Sequence, residues 1–147
     1  MLEQRLVVRL LGYWERVKKE DIMPDFRRNN PAMIEDLWGQ CFVISVVPPS
    51  CKAYKYEYLG DKIRVLCTGD ITGKTFDAQN KYSGNSLVTP KMEAIIALME
   101  LKKPQEDSGQ MPSKNGKFVK YRTILLPFGN ENMGITHIVG GVSYREF

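Results

Sequence analysis

Histidine is almost missing: His137 is the only one in 147 residues. A hydrolase triad depends on a general base of this type, and the chain has no second one to offer. His137 stands in "GITHIVGG", a strand-like setting in which it reads as a partly buried strand residue. Cysteine is scarce as well. Cys41, Cys51 and Cys67 are odd in number, widely spaced and form no C-x-x-C pair, which argues against a disulfide framework and against a structural metal site. Free thiols fit a reducing compartment. No stretch approaches the roughly 18 apolar residues of a membrane helix. Arg5 and Arg9 interrupt the apolar N-terminus, so no signal-peptide core forms there. Together these absences point to a cytoplasmic chain with no membrane contact. No H-x-x-E or D-x-D spacing suggests a metal.

Charge of one sign is not gathered anywhere. The net charge is +4, but the basic groups around Arg16, Arg27, Lys102 and Lys114–Arg122 are spread along the chain. All but the last have acidic neighbours. A nucleic-acid binder shows a basic patch together with a recognisable module. Neither a zinc finger, an RNA-recognition signature nor a helix-turn-helix is visible, so nucleic-acid binding is disfavoured.

One string does suggest chemistry. "GDITGKT", Gly69 to Thr75, looks like a phosphate-binding loop. That loop needs four residues between its glycines, whereas Gly69 and Gly73 enclose three. It also follows a buried strand and opens a helix. Here "FDAQNKYSGNS" follows, which is polar and a poor helix. The string reads as a tight turn whose glycines supply unusual backbone angles.

The rest of the chain is legible as elements of one domain. Residues 4–19 carry Leu6, Leu10, Trp14 and Val17 at steps of four, four and three, a helical stripe. Asn30 is placed to cap a short helix that begins at Pro31 and runs to about Gly39. "CFVISVV", Cys41–Val47, is a β-branched strand. "AYKYEYL", Ala53–Leu59, alternates, which puts Tyr54, Tyr56 and Tyr58 on one face. The link between them has hairpin length, so the two pair antiparallel. Thr89-Pro90 precedes a helix to about Lys103, with Met92, Ile95, Ile96 and Met99 as its stripe. Residues 102–117 are polar and turn-rich, with a short strand conceivable near Gln110-Met111. Strands at 117–128 and from Ile135 close the chain around the loop "GNENMG". Strands at both ends with helices between them give an α+β domain with an antiparallel sheet.

This order resembles a PAS domain, and more specifically the stand-alone PAS-like proteins of alphaproteobacteria. The residues that carry it are "LLGYWERVKKEDIMP" at 10–24, "NP" at 30–31, "YKYEYLGDKI" at 54–63 and "TGDITGKTF" at 68–76. "YRTILLPFGNENMGITHIVGGVSY" at 121–144 completes them. The resemblance implies one domain over 1–147, with an N-terminal helix at 1–20 and a core at 40–147. It implies a five-stranded antiparallel sheet with helices across one face. It makes the chain a sensory or signalling module without catalysis, which takes a small ligand or a protein partner and acts in trans. The glycines of "GDITGKT" become structural. Such domains often dimerise through an N-terminal amphipathic helix. Leu6, Leu10, Trp14 and Val17 would serve that role, or would pack on their own domain.

A ligand pocket between sheet and helices would draw on Tyr54, Tyr56, Tyr58, Phe76, Arg122 and His137, with aromatics as wall and a cation or imidazole to orient a polar group. The cofactor is open. A haem ligand is usually a helical histidine, which the chain lacks. Cys67 in "VLCTGD" does not match a flavin photoadduct motif. Two other function classes stay in view. A small enzyme of ketosteroid-isomerase type would need a pocket carboxylate beside a Tyr donor, for which Glu57 and Asp70 are the candidates. A nucleic-acid-binding protein is the other.

Overall fold

The computed structural model describes residues 2–28, 31–47, 53–66, 71–77, 87–112 and 116–146. Asn30, Cys51, Cys67, Gly69 and Asp70 lie outside them, and so do the expectations that rest on those residues. Helix α1 spans Leu2–Lys18. Its periodic apolar positions bury Leu6, Leu10, Tyr13, Trp14 and Val17 in the core, and it stops where Lys19 takes a positive φ of 56°. Arg16 and Lys18 lie in its last turn, where cations complement the helix dipole. The expected short helix from Pro31 is a 3-10 stretch over Pro31–Gln40, which packs against α1.

The sheet has six strands: β1 Cys41–Val47, β2 Ala53–Leu59, β3 Thr75–Asp77, β4 Gln105–Pro112, β5 Phe118–Asn130 and β6 Gly134–Glu146. Their order is β3-β2-β1-β6-β5-β4, antiparallel throughout. This corrects the expected count of five. Strand β3 is a three-residue edge, and β4 occupies a segment whose composition reads as turn. Two short helices complete the chain, α2 at Asp61–Arg64 and α3 at Met92–Leu101.

Strand parity assigns the layers. Gly141 meets Leu10 of α1, and Cys41 and Ile124 flank Gly141 in the ladder. That face, with Val139, Leu126 and Phe128, lies under α1. The opposite parity carries Phe42, Ile44, Gly140, Thr123 and Leu125. The Tyr56 hydroxyl of that second face bonds Thr89, which leads into α3. The helices therefore divide between the two faces, where the sequence suggested one.

The burial of β5 marks the edge of the cover. Alternation holds from Phe118 to Thr123, and every residue from Ile124 to Gly129 is buried. A strand becomes apolar on both faces where both are covered. Trp14 Nε1 donates to the Pro127 carbonyl at 2.7 Å inside this layer. On α3 the buried positions are Ile95 and Leu98, while Ile96 of the expected stripe is exposed. Asp107 Oδ2 accepts from the Lys91 backbone N–H at 2.9 Å and ties the start of α3 to β4.

Leu6, Leu10, Trp14 and Val17 are thus covered by their own chain, the second of the two roles open to the stripe. Leu10→Ala opens a cavity against Gly141. It should cost about 2–5 kcal/mol in chemical denaturation, and the folded variant should keep the wild-type mass in light scattering. A change of oligomeric state with folding intact would restore the dimer role.

Candidate functional site

The six residues expected to line one pocket separate into four places. Tyr54, Tyr56 and Phe76 come together on the α3 face. Phe76 stacks on Tyr54 with centroids 5.2 Å apart and on Tyr56 at 4.7 Å. All three are buried. Tyr56 reaches Thr89 with its hydroxyl. Thr123 shares this sheet face through Leu125 and Gly140. It is only 3% exposed, and its Oγ1 has no hydrogen-bond partner among the described residues.

Tyr58 is on the other face, which corrects the single tyrosine stripe. The β1–β2 register passes from Val43↔Tyr58 to Ile44↔Tyr56, so Glu57 is an extra, bulged residue. A bulge inverts the parity beyond it. Tyr58 accordingly stacks on Trp38 at 4.8 Å and donates to the Trp38 carbonyl at 3.1 Å. Burial above all, then Cys41 and Asp61, holds its phenol above the ordinary value. Cys41 itself is buried and its thiol is pushed up to about 12 by burial. It donates to the Leu37 carbonyl and is an inert structural thiol.

His137 is on the α1 face as well, paired with Ser45 and Phe128. Its ring lies flat on Phe26, 3.9 Å away at 9°, and Phe26 meets Phe128 edge-on at 5.7 Å. The segment after α1 is held there by Gly129 N–H donating to the Pro24 carbonyl at 2.8 Å. Phe26, Ser45, Met133, Ile135, Thr136 and His137 help line a groove of ≈ 510 Å³. Arg122 is exposed and stands opposite Ser108 and Ser143, three strands from Tyr56. It borders a shallow depression with Lys91 and Glu106.

Sequence reasoning missed Thr123, Thr89, Phe26 and Ser45. Thr123 had a signal: it is the polar member of the alternating set Val119, Tyr121, Thr123, Leu125. Phe26 had none, because its partner is 111 positions away in the chain (137 − 26). The described part of "GDITGKT" behaves as a turn. Gly73 has φ +86°, its N–H donates to the Tyr56 carbonyl at 2.6 Å, and the chain enters β3, not a helix.

Burial holds the His137 pKa below the ordinary value of 6.5, with Glu57 and Asp25 opposing. The folded state therefore resists protonation more than the unfolded state does. Stability should be insensitive to this group above about pH 6.5 and should fall as pH drops from there through the lower folded value. His137→Gln removes this component. Urea denaturation at about pH 7.5 and about pH 5 should show a larger loss in wild type than in the variant; an equal loss would contradict the assignment.

No curated protein sequence matches the chain. Its structure is similar to the PAS-B domain of Drosophila melanogaster Cycle with bound glycerol, at 12% identity and TM-score 0.48, covering 71% of this chain and 98% of that one. It is similar to a light-oxygen-voltage domain studied with a flavin analogue, at 13% identity and TM-score 0.49, covering 78% and 84%. It is also similar to the PAS domain of Bordetella pertussis BvgS, at 10% identity and TM-score 0.40, covering 74% and 75%. The sequence itself matches the family model of the PAS domain over residues 3–143, and on that match the chain belongs to the PAS domain family.

Proposed function

We propose that this chain is a sensory module without catalytic activity, which takes up a small ligand on the α3 face of its sheet and passes the change to a protein partner in trans. The observation that carries the ligand is Thr123. A buried hydroxyl without a partner costs about 1–3 kcal/mol, and a polar group of a bound molecule would satisfy it. Tyr56 and Thr89 place a hydroxyl pair on the same, otherwise apolar face, three strands from Thr123.

The chemistry of the wall supports binding over catalysis. Among the described residues the buried polar or charged side chains are Thr89 and Thr123. An isomerase of the ketosteroid type needs a carboxylate in its pocket. Glu57 is 41% exposed and belongs to the bulge, beside Ser45 of the α1 face. No helix among the described residues is long and apolar enough to cross a membrane.

Native and denaturing mass spectrometry of the freshly purified chain tests the reading. A discrete extra mass, released on denaturation, is the expected result. Thr123→Val keeps the side-chain shape while removing the hydroxyl. It should lower the bound fraction and raise the melting temperature of the ligand-free chain, because the unsatisfied group is gone. Only the bare chain mass in the wild type would remove the ligand from the proposal and leave a module that works through partner contact.

A further inference from the structure

The groove beside His137 is on the opposite face from Tyr56 and Thr123, so it does not belong to the site proposed above. Its ≈ 510 Å³ lies within the size range of small-molecule sites. Two β-bulges adjoin it. Glu57 is the extra residue of β2. Thr136 is the extra residue of β6, where the register passes from Phe128↔His137 to Gly129↔Ile135. Bulges re-aim side chains and concentrate near functional sites.

The hydrogen bonds at this rim are polarised. Thr136 Oγ1 donates to the Phe128 carbonyl at 3.4 Å, so its contact with His137 Nδ1 at 2.9 Å is one in which the imidazole donates. A neutral imidazole has one proton. We assign that proton to Nδ1 on this geometry, which leaves Nε2 as an acceptor. Ser45 Oγ donates to Glu57 Oε1 at 2.8 Å, which leaves its lone pairs, and the carboxylate accepts only. His137 and Ser45 have thus turned their protons to neighbours, and together with the Glu57 carboxylate they keep acceptors. Phe26, Met133 and Ile135 supply apolar wall next to them, and Met133 is 60% exposed.

We propose that this groove binds a small molecule bearing a primary ammonium group on an apolar or aromatic body. The ammonium has three donors and no acceptor, which matches the rim formed by Glu57, Ser45 and His137. The body packs on Met133, Ile135 and the aromatic pair Phe26–His137. The neighbouring cations leave room for it. Arg27 is held by Asp25 through Nη2 at 2.8 Å and Nε at 3.2 Å. Lys55 stands 4.0 Å from Glu57 with 44% of its side chain exposed, and such an exposed pair is weak enough to be displaced.

Phenethylamine, 2-phenylethanol and 3-phenylpropionate form a matched cationic, neutral and anionic series of probes. Each is titrated to about 10 mM, the range in which so small a probe binds, while the ring signals of the single histidine are followed by NMR. The expected result is a saturable shift with the amine. Affinity should be roughly tenfold weaker in Glu57→Gln, through loss of a charge-assisted hydrogen bond. Lowering the pH until His137 is protonated should weaken it again. His137 then lacks its acceptor and adds a positive charge to those of Arg27 and Lys55, opposite Glu57 and Asp25. Equal or tighter binding of the alcohol or the carboxylate, no shift with any probe, or unchanged amine affinity in Glu57→Gln would each overturn the proposal. Glu57 is exposed, so that variant keeps its fold.

Discussion

Two neighbouring glycines set the distance between the layers of this domain. Gly140 and Gly141 sit in the middle of β6, the central strand between β1 and β5, and by parity they face opposite ways. A side chain at Gly140 would strike the Phe42 ring, and one at Gly141 would strike Leu10 of α1. Interiors are packed too closely to absorb such an addition without displacement. The Phe42 ring can therefore lie against the sheet on one face, and α1 can seat Leu10 against it on the other. The remaining contacts of α1 follow from that approach, including the bond from Trp14 to the Pro127 carbonyl. Because both faces of β5 and β6 are closed there, their residues from Ile124 and around Val139 are buried whichever way they point.

Local pattern made the regular elements and the hairpin pairs β1–β2 and β5–β6 readable and left the remaining pairings unread. Cys41–Val47 and Ala53–Leu59 were visible as strands because β-branched and aromatic residues cluster between turn residues. The α1 stripe was visible as a stripe, but its periodicity says only that an apolar face exists, not what covers it. The answer is in Gly141 and Ile124, more than a hundred positions away. Strand β4 showed only as a short piece near Gln110-Met111, for a physical reason. It lies at the sheet edge with alternate residues exposed, so Gln105, Ser108, Gly109 and Gln110 are tolerated, and composition alone reads them as turn. Its strand character comes from the ladder with β5, which local sequence does not display.

The candidate site was legible to the same extent. Alternation in β2 correctly brought Tyr54 and Tyr56 together, and Phe76 joins them through β3. The same alternation misplaced Tyr58, because a bulge at Glu57 has no composition signature in "AYKYEYL". His137 and Arg122 were chosen for their chemistry, and the register puts them on the other face. For a side chain in a sheet, one residue of register decides between two environments. The polar groups that matter on the α3 face, Thr89 and Thr123, are modest residues. What sets them apart is burial, a property of the fold.

The bulge at Glu57 also decides how the two faces relate. Tyr56 points to the α3 face and bonds Thr89, while the next residue in the chain, Glu57, accepts from Ser45 of the α1 face. One peptide unit separates them. Elsewhere in β1 and β2 a displacement across the sheet would have to break a continuous ladder, which is costly because each buried backbone group needs its partner. At the bulge the ladder is already interrupted and the extra residue is unpaired. The carboxylate there is exposed, held by Ser45 Oγ at 2.8 Å and contacted by Lys55 only at 4.0 Å. Opposite it, Thr136 is the bulged residue of β6 and His137 is held between Thr136 and Phe26. The polar rim of the outer groove is thus built on the two interrupted points of the ladder, whereas the aromatic cluster around Tyr56 and Phe76 is built on its paired parts.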